Sequence, residues 1–349
     1  MTESSPTDTS MLKNAVSQAL LIAGLATGAV SLLLFILHVS PVAIVQALVG
    51  GTLTSWLRFT QVLSIFVPLL LCSCGLLFTF QAGLWNIGIE GQVVMGAIGA
   101  TAVLRLYPID LPPAALLGCA MIAACLCGGL WGVFAGMLKN RGGVNEIFGG
   151  LGLNFVAQAI ILYLIFGPWK RAGIASMSGT DIFARELWFS TPPGWRVAPV
   201  ALILAGAVFA VSWLLLTRTR FGLRVKAVGL NRRAASLYHV QPELYGLLAI
   251  MAGGGLAGLA GGIQVAGVYH RLIPAVSSGY GYLGLLVVML ANYKVLPVPL
   301  ITLFFAWLAA GSIQLPIMLQ IDSSLSGVIQ GACVLSALLV HGLQNRRKG

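Results

Sequence analysis

The sequence predicts an all-α, polytopic membrane protein. Hydrophobic residues make up 58% of the 349 residues, and charged residues only 8%, which is far from the composition of soluble domains. A helix needs about 20 mainly apolar residues to cross a bilayer, and apolar stretches of that length recur along the whole chain. These two observations predict about ten transmembrane helices.

Charged residues, glycine or proline bound each apolar run, and these boundaries place the elements in order. We expect spans at residues 12–38, 60–80, 86–104, 113–138, 146–166, 197–217, 242–268, 280–293, 297–315 and 324–343. The stretch 41–59 is less apolar and carries Gln46 and Arg58, which favours a helix lying at the membrane interface.

Lys and Arg indicate the orientation of the spans, because both are enriched in cytoplasmic loops. Residues 217–241 contain six basic and no acidic side chains, and the chain ends in Arg346, Arg347 and Lys348. We therefore expect both termini and the 217–241 loop on the cytoplasmic side. The 167–196 loop is then external, where it could dock a soluble partner or lie at the lipid headgroups.

The domain organisation follows from the spans. Residues 12–343 form a single transmembrane domain that contains the two long loops. Residues 1–11 are polar and lack the basic region of a cleavable signal, so we expect a disordered cytoplasmic tail. Residues 344–349 form a basic cytoplasmic tail.

Several classes of function are excluded by composition and motifs. The net charge of +11 does not indicate nucleic-acid binding, because the basic residues follow the loops and no aromatic-basic motif accompanies them. No lysine precedes Ser or Thr, so the chain has no P-loop to hold ATP. The four histidines and six cysteines lack metal-ligand or redox spacing. We expect no catalytic residue, metal or cofactor in this chain.

Two carboxylates lie in or at the edge of the spans. Glu146 opens a span after Asn145, which can cap the helix, and its charge suits the positive helix end. Glu90 lies one turn into the third span, after Asn86 as another possible cap. A charge in the membrane is costly and usually faces a cavity, a partner or a helix end. A structural role is favoured for both, and contact of Glu90 with a substrate or a proton stays an alternative.

Glycine marks two further features. Gly254, Gly258 and Gly262 recur every four residues on one helix face, which predicts close packing against a neighbouring backbone. The segment 278–294, SGYGYLGLLVVMLANYK, is short for a crossing and is interrupted by glycine. Such a pattern favours a broken helix that lines a cavity.

The basic loop contains a candidate docking helix. Asn231 can cap a short helix that starts at Arg232 and runs to about Val240. Its less polar positions include Ala235 and Leu237. A basic segment of this kind is typical of topology determinants and lipid-headgroup contacts, and a helix with both charged and apolar side chains also suits the docking of a cytoplasmic subunit.

The run AGLWNIGIEGQVVMGAIGA at 82–100 resembles the signature of ABC-transporter permeases of the nucleoside and simple-sugar branch, a bacterial import family related to ribose and branched-chain amino acid permeases. Four more runs resemble later segments of that family in the expected order. They are NEIFGGLGLNFVA, TRFGLRVKAVGLNRRAA, GGLAGLAGG and GYGYLGLLVVML. The resemblance extends from about residue 60 to 343.

This resemblance implies a division of labour in the bacterial inner membrane. Two permease subunits form the pathway, a cytoplasmic ATPase binds ATP and magnesium, and an extracytoplasmic binding protein delivers the solute. The second permease is expected to be a shorter paralogue. The helix that contacts the ATPase is expected to comprise Asn231, Arg232, Arg233, Ala234, Ala235 and Leu237.

The expected function is ATP-driven import of nucleosides or related purine and pyrimidine compounds. Import of a pentose or hexose is the nearest alternative, and an ion-coupled secondary transporter is disfavoured because only one acid lies deep in a span. A nucleobase or ribose needs amides, hydroxyls and aromatic faces. The candidate pathway residues are therefore Asn86, Gln92, Asn154 and Tyr282.

Overall fold

A computed structural model describes residues 41–171 and 179–319, together with Val328 and Gly331. All regular elements of this part are helical. The helices are α1 (Pro41–Thr52), α2 (Trp56–Gln81), α3 (Ile89–Leu104), α4 (Pro113–Asn140), α5 (Glu146–Phe166), α6 (Pro199–Arg218), α7 (Arg220–Leu230), α8 (Arg232–Leu237), α9 (Pro242–Gln264), α10 (Tyr280–Leu290) and α11 (Val298–Leu319). The span expected at 12–38, nearly all of that at 324–343, and both tails lie outside the described residues.

Five of these helices are long and apolar enough to cross a membrane, namely α2, α4, α5, α6 and α9 with its extension to Tyr269. Three shorter apolar helices are α3, α10 and the Val298–Gln314 part of α11. All of them coincide with spans expected from the sequence between residues 60 and 315. Length and composition therefore indicate a multi-pass membrane protein.

The described residues form two units. One comprises those up to Phe59 and from Trp307 onward, and the other is Thr60–Ala306. Within the first unit, the Trp307 Nε1 group donates a hydrogen bond of 2.7 Å to Thr52 Oγ1. The second unit holds all of the candidate site residues.

Small residues hold the core of the second unit together. Gly254, Gly258 and Gly262 lie buried on the face of α9 that meets α3 and α4. A Cβ atom added to Gly258 would lie 2.2 Å from the carbonyl oxygen of Ala124, and one added to Gly96 would lie 2.1 Å from Gly258 Cα. The backbones of α3, α4 and α9 are therefore in direct contact, which is possible only with glycine at these crossings.

The helix starts follow ordinary capping chemistry. Pro113, Pro199 and Pro242 occupy first helical positions, where a missing N–H group costs nothing. Asn145 and Asn231 cap α5 and α8, each accepting a backbone N–H bond on its side-chain oxygen, at 2.9 and 3.0 Å. α8 ends at Leu237 rather than near Val240.

That early end has a local cause. His239 adopts a left-handed conformation with φ of 59°, and the Val240 amide returns to the Ala235 carbonyl at 3.0 Å. This bond pattern closes a helix rather than continuing it. The expected extension of the helix to Val240 was therefore wrong.

Two of the non-helical segments in the second unit adjoin the candidate site residues. The first linker, residues 82–88, joins α2 to α3, and the second linker, residues 270–279, leads into α10. Before the second linker, α9 passes through a π turn at Val265–Tyr269. The broken element expected at 278–294 is thus an 11-residue helix preceded by an irregular segment.

Candidate functional site

Glu90 on α3 binds the start of α10. Its carboxylate accepts the Gly279 amide at 3.0 Å and the Gly281 amide at 2.8 Å. The Ser277 hydroxyl and the Tyr282 amide also donate to it. The side chain is buried, with 9% exposure, so these bonds replace its hydration.

The need for this carboxylate lies in α10 itself. The first amides of a helix have no partner within the helix, and the positive end of the helix dipole favours an anion there. Gly279 precedes α10 with φ of 74° and offers no side-chain cap. Glu90 therefore acts as the N-terminal cap of α10 from a different helix. A Cβ atom on Gly281 would lie 2.4 Å from Glu90 Oε2, so only glycine admits this approach.

Asn154 on α5 links the same elements. Its Oδ1 atom accepts the Gly91 amide at 2.8 Å, and its Nδ2 group donates to the Ile87 carbonyl at 2.9 Å and to the Tyr282 hydroxyl at 3.3 Å. Asn154 lies eight residues after the start of α5, or about 12 Å along the helix. One amide thus joins the first linker, α3 and α10.

Asn86 and Gln92 form a reciprocal pair. Each amide nitrogen donates to the other side-chain oxygen at 3.0 Å, and both residues are buried, at 3% and 0% exposure. Asn86 does not cap α3, so that interpretation was wrong. The helix begins at Ile89 after Gly88 without a side-chain cap, because the oxygen and the nitrogen of the Asn86 amide are both bonded to Gln92.

Gln158 is a functional candidate that the sequence interpretation missed. It lies one turn beyond Asn154 on α5, and its Nε2 group donates to the Pro274 carbonyl in the second linker at 3.0 Å. α5 therefore holds both linkers through successive amides. The signal in the sequence was a second amide one helical turn away in an otherwise apolar run.

Two exposed aromatic residues lie on the helices that carry this polar network. Tyr282 is 43% exposed, while Phe155 on α5 is 69% exposed. Among the four candidate pathway residues, Tyr282 presents the most surface, and the polar groups of Asn86, Gln92 and Asn154 are bonded within the protein. Their direct contact with a substrate stays a prediction.

The basic segment 217–241 differs from this network. We call it the coupling segment, after the role that the family resemblance implies for it. Arg232 and Arg233 are exposed, Leu237 and Tyr238 are 80% and 82% exposed, and Ala235 is buried beneath them. α8 therefore rests on the protein through a small residue and presents cations and large apolar side chains outward.

Two contacts connect the coupling segment to the first linker. A Cβ atom on Gly229 of α7 would lie 2.1 Å from the Gln81 carbonyl oxygen, so α7 packs directly on the end of α2. Arg232 lines a small cavity with Trp85 and Glu146. α7 and α8 therefore lie against the end of α2 and the first linker.

Glu146 is the central group of that cavity. Its carboxylate forms an ion pair with Lys139 and accepts the Trp85 amide at 3.2 Å. Together with the Asn145 cap, these bonds join α4, α5 and the first linker. The expected helix-start position of Glu146 thus carries two tertiary contacts that the sequence did not indicate.

The 167–196 loop packs at the C-terminal end of α9. Residues 172–178 of this loop are not described. Thr180, Phe183 and Phe189 donate backbone hydrogen bonds to the Leu272, His270 and Ala266 carbonyls at 2.9, 2.9 and 3.1 Å. The Trp188 ring stacks on His270 at 3.7 Å. Burial lowers the pKa of His270, while a bond to the Ala266 carbonyl opposes that shift. The loop is therefore attached to the second linker.

These features can be compared with known proteins. The family model described as "Branched-chain amino acid transport system / permease component" matches residues 58–338. The chain belongs to this permease family. The match includes α3, α5, α8 and α10, which together carry the buried polar network and the coupling segment.

Several individual proteins are similar to this permease over most of its length. It is 31% identical over 344 residues to the glucose ABC transporter permease protein TsgB13 of Haloferax volcanii, covering 94% of this chain and 88% of that protein. It is 25% identical over 320 residues to the guanosine ABC transporter permease protein NupP of Bacillus subtilis, covering 90% of each. It is also 25% identical over 272 residues to NupQ of the same bacterium, a second guanosine permease protein, covering 72% of this chain and 83% of that one.

The relatives confirm the resemblance seen at residues 82–100. This permease is a membrane subunit of an ABC importer from the branch that includes sugar and nucleoside permeases. Its role is transport rather than catalysis.

Proposed function

We propose that this permease and a second permease subunit form the membrane pathway of an importer for nucleosides or related purine and pyrimidine compounds. The similarity to the guanosine permease NupP over 90% of both chains carries this proposal. The exposed ring of Tyr282, whose hydroxyl accepts a bond from the Asn154 amide, fits it, because ligand sites combine aromatic surface with a few well-placed polar groups.

ATP hydrolysis on a partner drives the transport. The cytoplasmic ATPase, which binds ATP and magnesium, contacts Asn231, Arg232, Arg233, Ala234, Ala235 and Leu237. Its closure moves α8, and the contacts of Gly229 and Arg232 carry the displacement to the first linker. The Glu90 and Asn154 bonds then pass it to α10, which borders the pathway.

The opposite end receives the substrate. An extracytoplasmic binding protein docks on the 167–196 loop, whose backbone bonds to the second linker couple docking to the same α10. In this arrangement both termini and the coupling segment are cytoplasmic, about ten helices cross the bilayer, and the membrane is the bacterial inner membrane. Basic side chains in the coupling segment support this orientation.

The second permease is a shorter paralogue, so the pair is a heterodimer. Bacillus subtilis has two guanosine permease proteins that are both similar to this chain, which supports a pair of related but different subunits. The exposed face of α5, which includes Phe155 and Tyr163, is the surface offered to the pathway between them.

Import of a hexose is the second candidate. It is favoured by the 31% identity to the glucose permease TsgB13. Aromatic faces and amides also bind sugars, so the pathway residues alone do not separate the two substrates.

Uptake measurements test the proposal. Cells that express the complete importer, and matched cells lacking this permease, are given labelled guanosine or labelled glucose. We expect permease-dependent guanosine uptake that survives collapse of the proton gradient and stops on ATP depletion. Permease-dependent uptake of glucose but not of guanosine would show that the importer carries a hexose. Uptake that stops with the proton gradient at constant ATP would identify an ion-coupled transporter instead.

A further inference from the structure

A cavity of about 590 Å³ opens where α2 and α6 end, beside the coupling segment. It is lined by Phe80, Gln81, Trp213, Lys226, Tyr293 and Lys294, among others. Both α2 and α6 are candidate membrane spans. Because their ends mark the boundary between hydrocarbon and headgroups, this cavity lies at the level of the lipid headgroups.

The charge of the cavity is positive. Within the described part of the chain, neither Lys226 nor Lys294 forms an ion pair. A third cation, Arg218, lies over the Trp213 ring at 5.9 Å from its centroid. Two lysines that face one space without a carboxylate attract an anion, and a phosphate group suits them as an acceptor of several N–H bonds.

Gln81 forms one wall of the cavity. Its Nε2 group donates to the Tyr293 carbonyl at 3.0 Å, which holds the end of α2 against the segment that follows α10. Its Oε1 atom is buried and does not face the cavity. The two lysines are therefore the groups that select the ligand.

The remaining walls are apolar. Trp213 and Tyr293 are the aromatic residue types enriched at membrane interfaces, and Val295 and Pro297 extend the apolar lining. A free phosphate ion gains nothing from such walls. An amphiphile gains from them, because its glycerol backbone and first methylene groups lie against them while its phosphate meets the lysines.

We propose that this cavity binds the headgroup of an anionic phospholipid, with phosphatidylglycerol as the lipid to test. Lys226 and Lys294 bind the phosphate. The acyl chains lie along the ends of α2 and α6.

Lipid binding to the purified full-length permease, measured by native mass spectrometry in detergent, tests the charge requirement. We expect dioleoylphosphatidylglycerol to bind at least about tenfold more tightly than dioleoylphosphatidylcholine, because charge-assisted bonds are the stronger kind. The variant Lys226→Gln/Lys294→Gln should lose this preference. The control Lys170→Gln/Arg185→Gln removes the same charge from the 167–196 loop and should retain it.

A second comparison tests whether the phosphate is the recognised group. Dioleoylphosphatidylethanol has the same charge as phosphatidylglycerol but no headgroup hydroxyl. The unaltered permease should bind the two about equally, and both should lose their advantage over phosphatidylcholine in the lysine variant. Thermal unfolding of each variant checks that the fold is retained. A variant that fails to fold is replaced by Lys226→Gln alone, for which a smaller loss of the same preference is expected.

Three outcomes would overturn the proposal. Equal binding of phosphatidylglycerol and phosphatidylcholine to the unaltered permease would remove the anion site. Displacement of the lipid by inorganic phosphate or sn-glycerol 3-phosphate at similar affinity would assign the cavity to a soluble phosphate compound. Loss of ATPase co-purification in the lysine variant, with lipid binding unchanged, would assign the surface to a subunit contact.

Discussion

The buried polar network around Glu90 and the coupling segment both interrupt apolar sequence, yet they are built in opposite ways. Glu90, Asn154 and the Asn86–Gln92 pair are buried and bonded to groups of the same chain. In the coupling segment, Arg233 and Leu237 are exposed. Polar groups in a membrane must be satisfied internally, whereas exposed groups are solvated by water or bound by a partner.

Substitutions in the two regions should therefore have different effects. Removing a residue from the buried network leaves its former partners without hydrogen bonds, so the loss appears first as stability. Removing an exposed residue of the coupling segment leaves the fold unchanged, so the loss appears only when a partner is present. Four substitutions test this division, in order of their expected effect on stability.

Glu90→Ala should destabilise the protein most. Several donors at the start of α10 would lose their acceptor, and each unsatisfied group costs about 1–3 kcal/mol. Thermal unfolding of the purified permease should show a large decrease in midpoint, with faster hydrogen exchange at residues 279–282. Glu90→Gln retains one acceptor oxygen and should fall between Ala and the original residue. An unchanged midpoint for Ala would exclude the capping role.

Gly258→Ala should follow. The added methyl group would lie 2.2 Å from a backbone oxygen of α4, and overpacking of this kind costs about 1–3 kcal/mol. Gly118→Ala is the matched control, because no atom lies within 4 Å of a Cβ atom there. The yield of folded protein and the unfolding midpoint should fall only for the first variant. Equal behaviour of the two would contradict the close packing of α4 and α9.

Asn154→Leu should cost less than Glu90→Ala, because the Tyr282 hydroxyl can turn to water while the Gly91 amide and the Ile87 carbonyl lose their partner. We expect a loss of about 1–3 kcal/mol. If Tyr282 contacts the substrate, the uptake rate per folded permease should also fall. Tyr282→Phe separates the two effects by removing only the hydroxyl. A normal uptake rate in both variants would remove these residues from the pathway.

Arg232→Glu/Arg233→Glu should change stability least of the four, because both side chains are exposed, and of the two only Arg232 lines the small cavity that contains Glu146. ATP-driven uptake should nevertheless be lost, because in the proposed arrangement the reversed charges face the ATPase. ATPase activity and subunit co-purification should be measured on the assembled importer. The control Lys170→Glu/Arg185→Glu makes the same charge change on the 167–196 loop and should retain co-purification with the ATPase, a readout that does not depend on docking of the binding protein. Full ATP-driven uptake in the α8 variant would remove the coupling assignment.

The helices of this permease could be predicted from the sequence because a span is a local property. Its length and apolar composition are read directly, and Asn145 and Asn231 cap helices that start within two residues of them. The end of α8 was misplaced, because His239 adopts a left-handed conformation that no residue type in the segment announces.

The candidate site was harder to predict because its bonds join distant residues. Glu90 and Gly279 are 189 positions apart. No residue near Glu90 in the sequence indicates that α10 lacks a side-chain cap of its own. Asn86 was interpreted as a local cap because local caps are common, but its amide forms two hydrogen bonds with the Gln92 amide instead. Side-chain type predicted a polar network here, and the pairing within it depended on the tertiary fold.

The separation of Glu90 from its partners also has a consequence for biosynthesis. At about 5–20 residues per second, a ribosome that has made α3 needs roughly 10–40 s to make the start of α10. During that interval the Glu90 carboxylate lacks the hydrogen-bond donors of residues 277–282, and an unpartnered charge in the membrane is unfavourable by several kcal/mol. We therefore expect α3 to be held stably in the bilayer only after α10 has been made.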